Sequence, residues 1–148
     1  MTTSARVALI TGASRGIGAA IARRLAAEGF AVALNYASNN AEADALVAEL
    51  TRGGASAIAI QADVSQADQV SAMFTTVEQQ LGRIDVLVNN AGVLKTAPLA
   101  QTSDAQYLQH FAINTQGVFN TLREAATRLN DGGRIINLSS TTLALNLP

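Results

Sequence analysis

Three groups of residues in this 148-residue sequence have types and spacings that could do chemistry. The first is Thr11-Gly12-Ala13-Ser14-Arg15-Gly16-Ile17-Gly18. Glycines permit positive φ and close approach of a ligand to backbone N–H groups, and a helix starting inside such a loop adds free donors and a partial positive charge. A pyrophosphate is the natural tenant, and a tight strand-to-helix turn with glycines chosen for packing is the alternative. The spacing matches neither the P-loop pattern, which needs Lys-Ser/Thr after its last glycine, nor the general G-x-G-x-x-G fingerprint. The second group is polar residues in apolar surroundings. Ser139 and Ser140 close an apolar run, and Asn114 lies within an apolar helical stretch, where asparagine is unfavourable and needs partners if buried. The third is a pair of polar turns after apolar runs, Asp63-Val64 and Asn89-Asn90-Ala91-Gly92.

Other chemistries are disfavoured by composition. Cysteine is absent and His110 is the only histidine, which argues against disulfides, thiolate catalysis, histidine metal sites and a Ser-His pair. Ten basic and eleven acidic side chains leave no basic footprint for a nucleic-acid partner. No stretch approaches the ~20 apolar residues of a membrane span, so the expectation is a cytoplasmic protein without a membrane partner. The length suits one domain.

The elements that must position these residues alternate. Short apolar runs at Val7 to Ile10, Ala31 to Asn35, Ala57 to Gln61, Ile84 to Asn89 and Arg134 to Ser139 read as strands buried on both faces. Between them, helical spacing appears in Ile17, Ile21 and Leu25, in Leu46 and Leu50, and in Val70, Phe74, Val77 and Leu81. The longest helical pattern runs from Ser103 to Asn130, with Leu108, Phe111, Thr115, Val118, Leu122, Ala125 and Leu129 on one stripe. Asn39-x-x-Glu42, Ser65-x-x-Asp68 and Ser103-x-x-Gln106 predict capping boxes; Gly29, Gly53-Gly54, Gly82 and Gly132-Gly133 predict helix ends. Repeated strand-helix-strand units imply right-handed crossovers and a doubly wound α/β fold.

Thr-Gly-x-x-x-Gly-Ile-Gly, Asp63-Val64, Asn-Asn-Ala-Gly, Asn114 in Ile-Asn-Thr-Gln-Gly-Val-Phe, and Arg134-Ile-Ile-Asn-Leu-Ser-Ser140 follow one another in order. Together they resemble the short-chain dehydrogenase/reductase family over essentially the whole chain, most closely its 3-oxoacyl-carrier-protein reductase-like members. The resemblance implies a Rossmann-type sheet of order 3-2-1-4-5, truncated after the fifth strand, with residues 1–148 as a single NADP-binding domain. It implies a cofactor cradle made by Thr11, Gly12, Ser14, Arg15, Gly16, Ile17 and Gly18, by Asn35, Tyr36, Ala37 and Ser38, by Asp63 and Val64 beside the adenine, and by Asn90, Ala91 and Gly92 near the ribose. It implies Ser140 as the catalytic serine, with Ser139 open to a mere strand-capping role. Asn114 would hold a water in a proton relay, against the alternative of a kinked helix with a locally bonded amide.

Cofactor choice follows from the 2′ position of the adenosine ribose. An NAD site usually carries Asp or Glu about 20 residues after its glycine loop. Here Asn35-Tyr36-Ala37-Ser38-Asn39 stands there, and Arg15 occupies the place of a basic residue in NADP-dependent relatives, so NADP(H) is expected. The implied activity is hydride transfer between NADP(H) and a small carbonyl or alcohol substrate, in a homodimer or homotetramer paired through the Ser103–Asn130 helix. The family's catalytic Tyr-x-x-x-Lys is not present: Tyr36 and Tyr107 are followed by Asn40 and Phe111, and Lys95, the only lysine, by this spacing pairs with Ala91. Counting from Ser140 places that tyrosine and lysine beyond Pro148. The chain itself is therefore expected to be inactive, with a non-catalytic nucleotide-binding module or a dimerising remnant as the alternatives.

Overall fold

A computed structural model describes residues 5–140. The elements run β1 (Val7–Ile10), α1 (Gly16–Ala27), β2 (Ala31–Tyr36), α2 (Asn40–Arg52), β3 (Ala57–Gln61), α3 (Ala67–Gln80), β4 (Ile84–Asn89), α4 (Asp104–Phe111), α5 (Gly117–Arg128) and β5 (Leu129–Asn137). The strands form one parallel sheet of order β3-β2-β1-β4-β5, the expected order. Successive residues of a strand face opposite sides. Val7 and Leu9 thus join Ala33, Phe74, Val77 and Leu87 on one face, while Ala8 and Ile10 join Ala22, Val32, Leu34 and Leu46 on the other. Helices cover both faces, which is why β1 has no polar residue at all.

The chain reverses direction of growth between β1 and β4. The crevice opened by that reversal, at the carboxyl ends of the strands, is where doubly wound sheets bind ligands.

The helix expected over Ser103–Asn130 is instead two α-helices joined by a π segment, Ala112–Gln116, in which the Gly117 N–H bonds the Ala112 carbonyl. A π turn takes more residues than an α turn and so rotates everything after it about the helix axis. The buried face of α5 is accordingly Gly117, Asn120, Thr121 and Ala125, whereas Leu108 and Phe111 of the predicted stripe are 62% and 51% exposed. The helix also stops at Arg128. Leu129 already pairs with Ile84, and Gly132-Gly133 fall in a register irregularity of β5, so they end no helix; Ser139 and Ser140 lie beyond the strand's last residue.

Of the three predicted capping boxes only Ser103–Gln106 forms, with the Gln106 N–H donating to the Ser103 hydroxyl at 3.3 Å and the Ser103 N–H to Gln106 Oε1 at 2.9 Å. The Asn39 amide donates to the Glu42 carboxylate instead of accepting from the helix. Ser65 is held by Asp63, so α3 starts after Gln66 without a side-chain cap.

Candidate cofactor site

A cavity of about 390 Å³ opens at the carboxyl ends of the strands. From the glycine loop Gly12, Ser14, Arg15, Gly16 and Ile17 line it, and from the end of β2 Asn35, Tyr36, Ala37 and Ser38. Asp63, Val64, Asn90, Ala91 and Gly92 complete the predicted set. Thr11 and Gly18 do not line it, and both work from behind. Thr11, 2% exposed, accepts through Oγ1 from the N–H groups of Asn90 and Ala91, each at 3.0 Å. Asn90 Nδ2 donates to the carbonyls of Thr11 and Gly12, each at 2.9 Å. A Cβ at Gly18 would come 2.5 Å from Asn90 Nδ2, and one at Gly12 2.8 Å from Ala91 Cα. Glycine at these two positions lets the loop and the Asn90–Ala91 turn close on each other.

Asn35 is also a supporting residue. It is 1% exposed; its Oδ1 accepts from the Gly12 N–H at 3.2 Å, and its Nδ2 donates to the Ala62 carbonyl at 2.9 Å. This amide joins the glycine loop to the ends of β2 and β3, while Ala37, Ser38 and Arg15 line the cavity beside it. Among the described residues that line the cavity, the exposed Arg15 is the only basic one, and Asp63, whose carboxylate accepts from the Ser65 N–H at 2.9 Å, is the only acidic one. Asp63 thus serves as turn residue and cavity wall together. The first turn of α1 has no side-chain cap and no acid, which leaves the N–H groups of Gly16 and Ile17 available to an anion. Uncapped helix donors and a guanidinium at one cavity fit a phosphorylated dinucleotide.

Asn114 sits in the π segment, a distortion frequent at functional sites. Its Oδ1 accepts from the Val93 N–H and its Nδ2 donates to the Val93 carbonyl, both at 2.8 Å. Both amide atoms are engaged there, so this side chain holds the loop after β4, a partner 21 residues away in the chain. His110 ties down the same loop: its Nε2 accepts from the Lys95 N–H at 3.0 Å, which leaves Nδ1 to donate to the Gln106 carbonyl at 2.7 Å. Ser139 and Ser140 are exposed and do not line the cavity, although they emerge at the same sheet edge, where the Leu138 N–H bonds the Asn89 carbonyl at 3.0 Å.

The sequence reading missed Asn39, Ala62, Val93 and Ile113 among the lining residues, and Asn120 and Thr121 behind them. Asn120 carries the same signal that singled out Asn114, a carboxamide inside a helix. Among the described residues no cluster of three or more His, Asp or Glu side chains could hold a metal ion, and no helix is long and apolar enough to cross a membrane.

Residues 6–146 match the short chain dehydrogenase family, and the chain belongs to that family. It is 48% identical over 143 residues to an uncharacterized oxidoreductase of Methylorubrum extorquens, covering 97% of this chain and 58% of the relative. It is 44% identical over 143 residues to a 3-oxoacyl-[acyl-carrier-protein] reductase of Staphylococcus aureus, covering 95% and 58%. A short chain dehydrogenase from Burkholderia cenocepacia, solved in complex with NADP, superposes with a TM-score of 0.91 at 40% identity, over 99% of this chain and 59% of that one. The chain thus spans somewhat more than half the length of the relatives it matches.

Proposed function

We propose that the cavity binds NADP(H) and that the protein is an oxidoreductase interconverting a carbonyl and an alcohol by hydride transfer. The observation that carries the cofactor choice is the wall at the end of β2: Ala37 and Ser38 face the cavity, Arg15 stands beside them, and no carboxylate occupies that wall. The NADP complex of the Burkholderia cenocepacia relative supports it. The uncapped start of α1 would take the pyrophosphate, the Arg15 guanidinium the 2′-phosphate, and the Asp63–Val64 turn the adenine.

When bound, the reduced nicotinamide would supply the hydride to the carbonyl carbon. A proton must then reach the alkoxide oxygen, and a positioned acid contributes ~10²–10⁴-fold to such a step. Ser140, by its match to the family, hydrogen-bonds the substrate oxygen, and Asn114, which holds the Val93 loop, by the same match holds a water in the proton relay. Residues 1–148 contain no Tyr-x-x-x-Lys pair, and Tyr36 is buried with its hydroxyl donating to Asn40 at 2.9 Å. By the match to the family, that acid is a tyrosine held by a lysine four residues on, a pair that residues 1–148 do not supply. A second copy of the chain, in a homodimer or homotetramer, would cover the apolar surface of α4 and α5.

NADPH and NADH titrations followed by nicotinamide fluorescence test the reading. NADPH should bind more tightly, and Arg15→Ala should weaken NADPH roughly ten- to a hundredfold while changing NADH little, as for the loss of a charge-assisted bond. The 148 residues alone should oxidise no NADPH with ketones or 3-oxoacyl thioesters. A preference for NADH, an Arg15→Ala variant with unchanged preference, or turnover by the short chain would each overturn the part it addresses.

A further inference from the structure

The start of α5 reaches one wall of the cavity and the residue that precedes another. Thr121, 1% exposed, donates to Asn89 Oδ1 at 2.7 Å, at the base of the Asn89–Gly92 turn. Asn120, equally buried at 1%, donates through Nδ2 to the Val64 carbonyl at 2.9 Å. The Asn120 Oδ1 in turn accepts from Gln116 Nε2 at 3.0 Å, so the carboxamide is oriented from the π segment.

Val64 belongs to a turn that is otherwise bonded to itself, to β2 and to α3. The Gln66 N–H donates to the Asp63 carbonyl at 3.0 Å, the Asp63 N–H to Gln69 Oε1 at 2.8 Å, and Asn35 Nδ2 to the Ala62 carbonyl at 2.9 Å. Among the described residues, the bond from Asn120 is the one that ties this turn to α5. Beside it a Cβ at Gly117 would stand 2.6 Å from Val64 Cγ2, so the helix backbone approaches the turn as closely as a residue without a side chain allows. A buried carboxamide inside a helix is unfavourable unless its partners give it a purpose. Here the partner is a wall of the cavity, which Ile113 of the π segment also lines.

We propose that Asn120 is a positioning residue for the cofactor. By holding the Val64 carbonyl it sets the gap between the Asp63–Val64 wall and Ile113, and with it the affinity for the adenine-bearing half of the dinucleotide. The inference rests on the NADP(H) reading of the cavity.

Titrations with 2′,5′-ADP and with NADPH test it, on the unsubstituted protein, Asn120→Asp and Asn120→Leu at pH 8 and pH 6. Each variant's Kd is divided by that of the unsubstituted protein at the same pH. In Asn120→Asp an ionised carboxylate cannot donate to Val64, whereas a protonated one can, and burial raises the pH at which it takes up its proton. At pH 8 both variants should bind both ligands on the order of tenfold more weakly. At pH 6 Asn120→Asp should recover affinity relative to pH 8, whereas Asn120→Leu should not. A role confined to folding would lower the urea midpoints of the variants and leave the Kd ratios of the folded protein near one. Variants that bind as tightly as the unsubstituted protein at pH 8, or an Asn120→Asp variant without recovery, overturn the inference while leaving the cofactor reading intact. An unsubstituted protein that binds neither ligand overturns both. If the variants do not fold, the Asn120 side-chain amide signals of the unsubstituted protein decide: they should shift and exchange more slowly on addition of 2′,5′-ADP, and unchanged signals overturn the proposal.

Discussion

Thr11 shows how a buried side chain can serve a binding site without touching a ligand. Its hydroxyl accepts from two consecutive backbone N–H groups of the Asn90–Ala91 turn, and among the described residues neither N–H has another acceptor. Leaving a buried donor unpaired costs about 1–3 kcal/mol. Thr11→Val, which keeps the shape and removes the acceptor, should therefore destabilise the fold by about 2–4 kcal/mol in urea unfolding, counting both donors with partial relief. Thr11→Ser keeps the hydroxyl and should cost under about 1 kcal/mol, the loss of one methyl group. Equal midpoints for the two variants would show that the turn is held by something else.

At the scale of elements, α5 is braced to α3 by charge. Arg128 pairs with Glu78 at 2.6 Å and with Glu124 at 2.9 Å, and its guanidinium lies 5.6 Å from the centre of the Phe74 ring. The hydrogen bond from Arg128 lowers the pKa of Glu78 below its ordinary value, with the positive charges of Arg128 and Arg83 acting in the same direction and partial burial against it. A carboxylate depressed on folding contributes stability above its unfolded pKa, and that stability is lost as pH falls through the folded one. The loss should begin below about pH 4.5, where an unfolded glutamate takes up its proton. Urea midpoints measured from pH 6 to pH 3 should fall less steeply for Glu78→Gln than for the unsubstituted protein. Parallel curves would remove Glu78 from the acid response. Since α5 also carries Asn120 and Thr121, this brace keeps the two cavity walls in place.

Across the whole molecule, the helices after β4 present apolar side chains to solvent. Tyr107, Phe111 and Phe119 are each more than half exposed, and Leu99 is 91% exposed. Tyr107 and Phe111 stack with ring centres 4.6 Å apart. Exposed apolar surface of this kind marks an interaction site or drives aggregation. In the proposed oligomer a second copy covers it. Sedimentation at about 50 µM, within the range where exposed apolar surface drives association, should show a dimer or larger species. Phe111→Ser with Phe119→Ser should shift it towards monomer without loss of the sheet. A soluble monomer before substitution would overturn the pairing.

The sequence alone determined the alternation of elements, the strand order expected from its family likeness, and the glycine loop that opens the cavity. These are legible because they depend on neighbours: the apolar runs of buried parallel strands, helical periodicity, and residues that allow a chain to turn tightly. The tertiary structure decided the π segment at Ala112–Gln116, the face that α5 buries, and the point at which helix gives way to β5. It also decided which backbone each polar side chain is bonded to. Thr11, Asn35 and Asn114 read alike as site residues, yet each is bonded to backbone brought close by the fold, Thr11 to a turn 79 residues away, Asn35 to Ala62 and Asn114 to Val93. Buried polar groups must find partners, but the partner is set by which strands lie side by side. Periodicity along the chain carries no record of that.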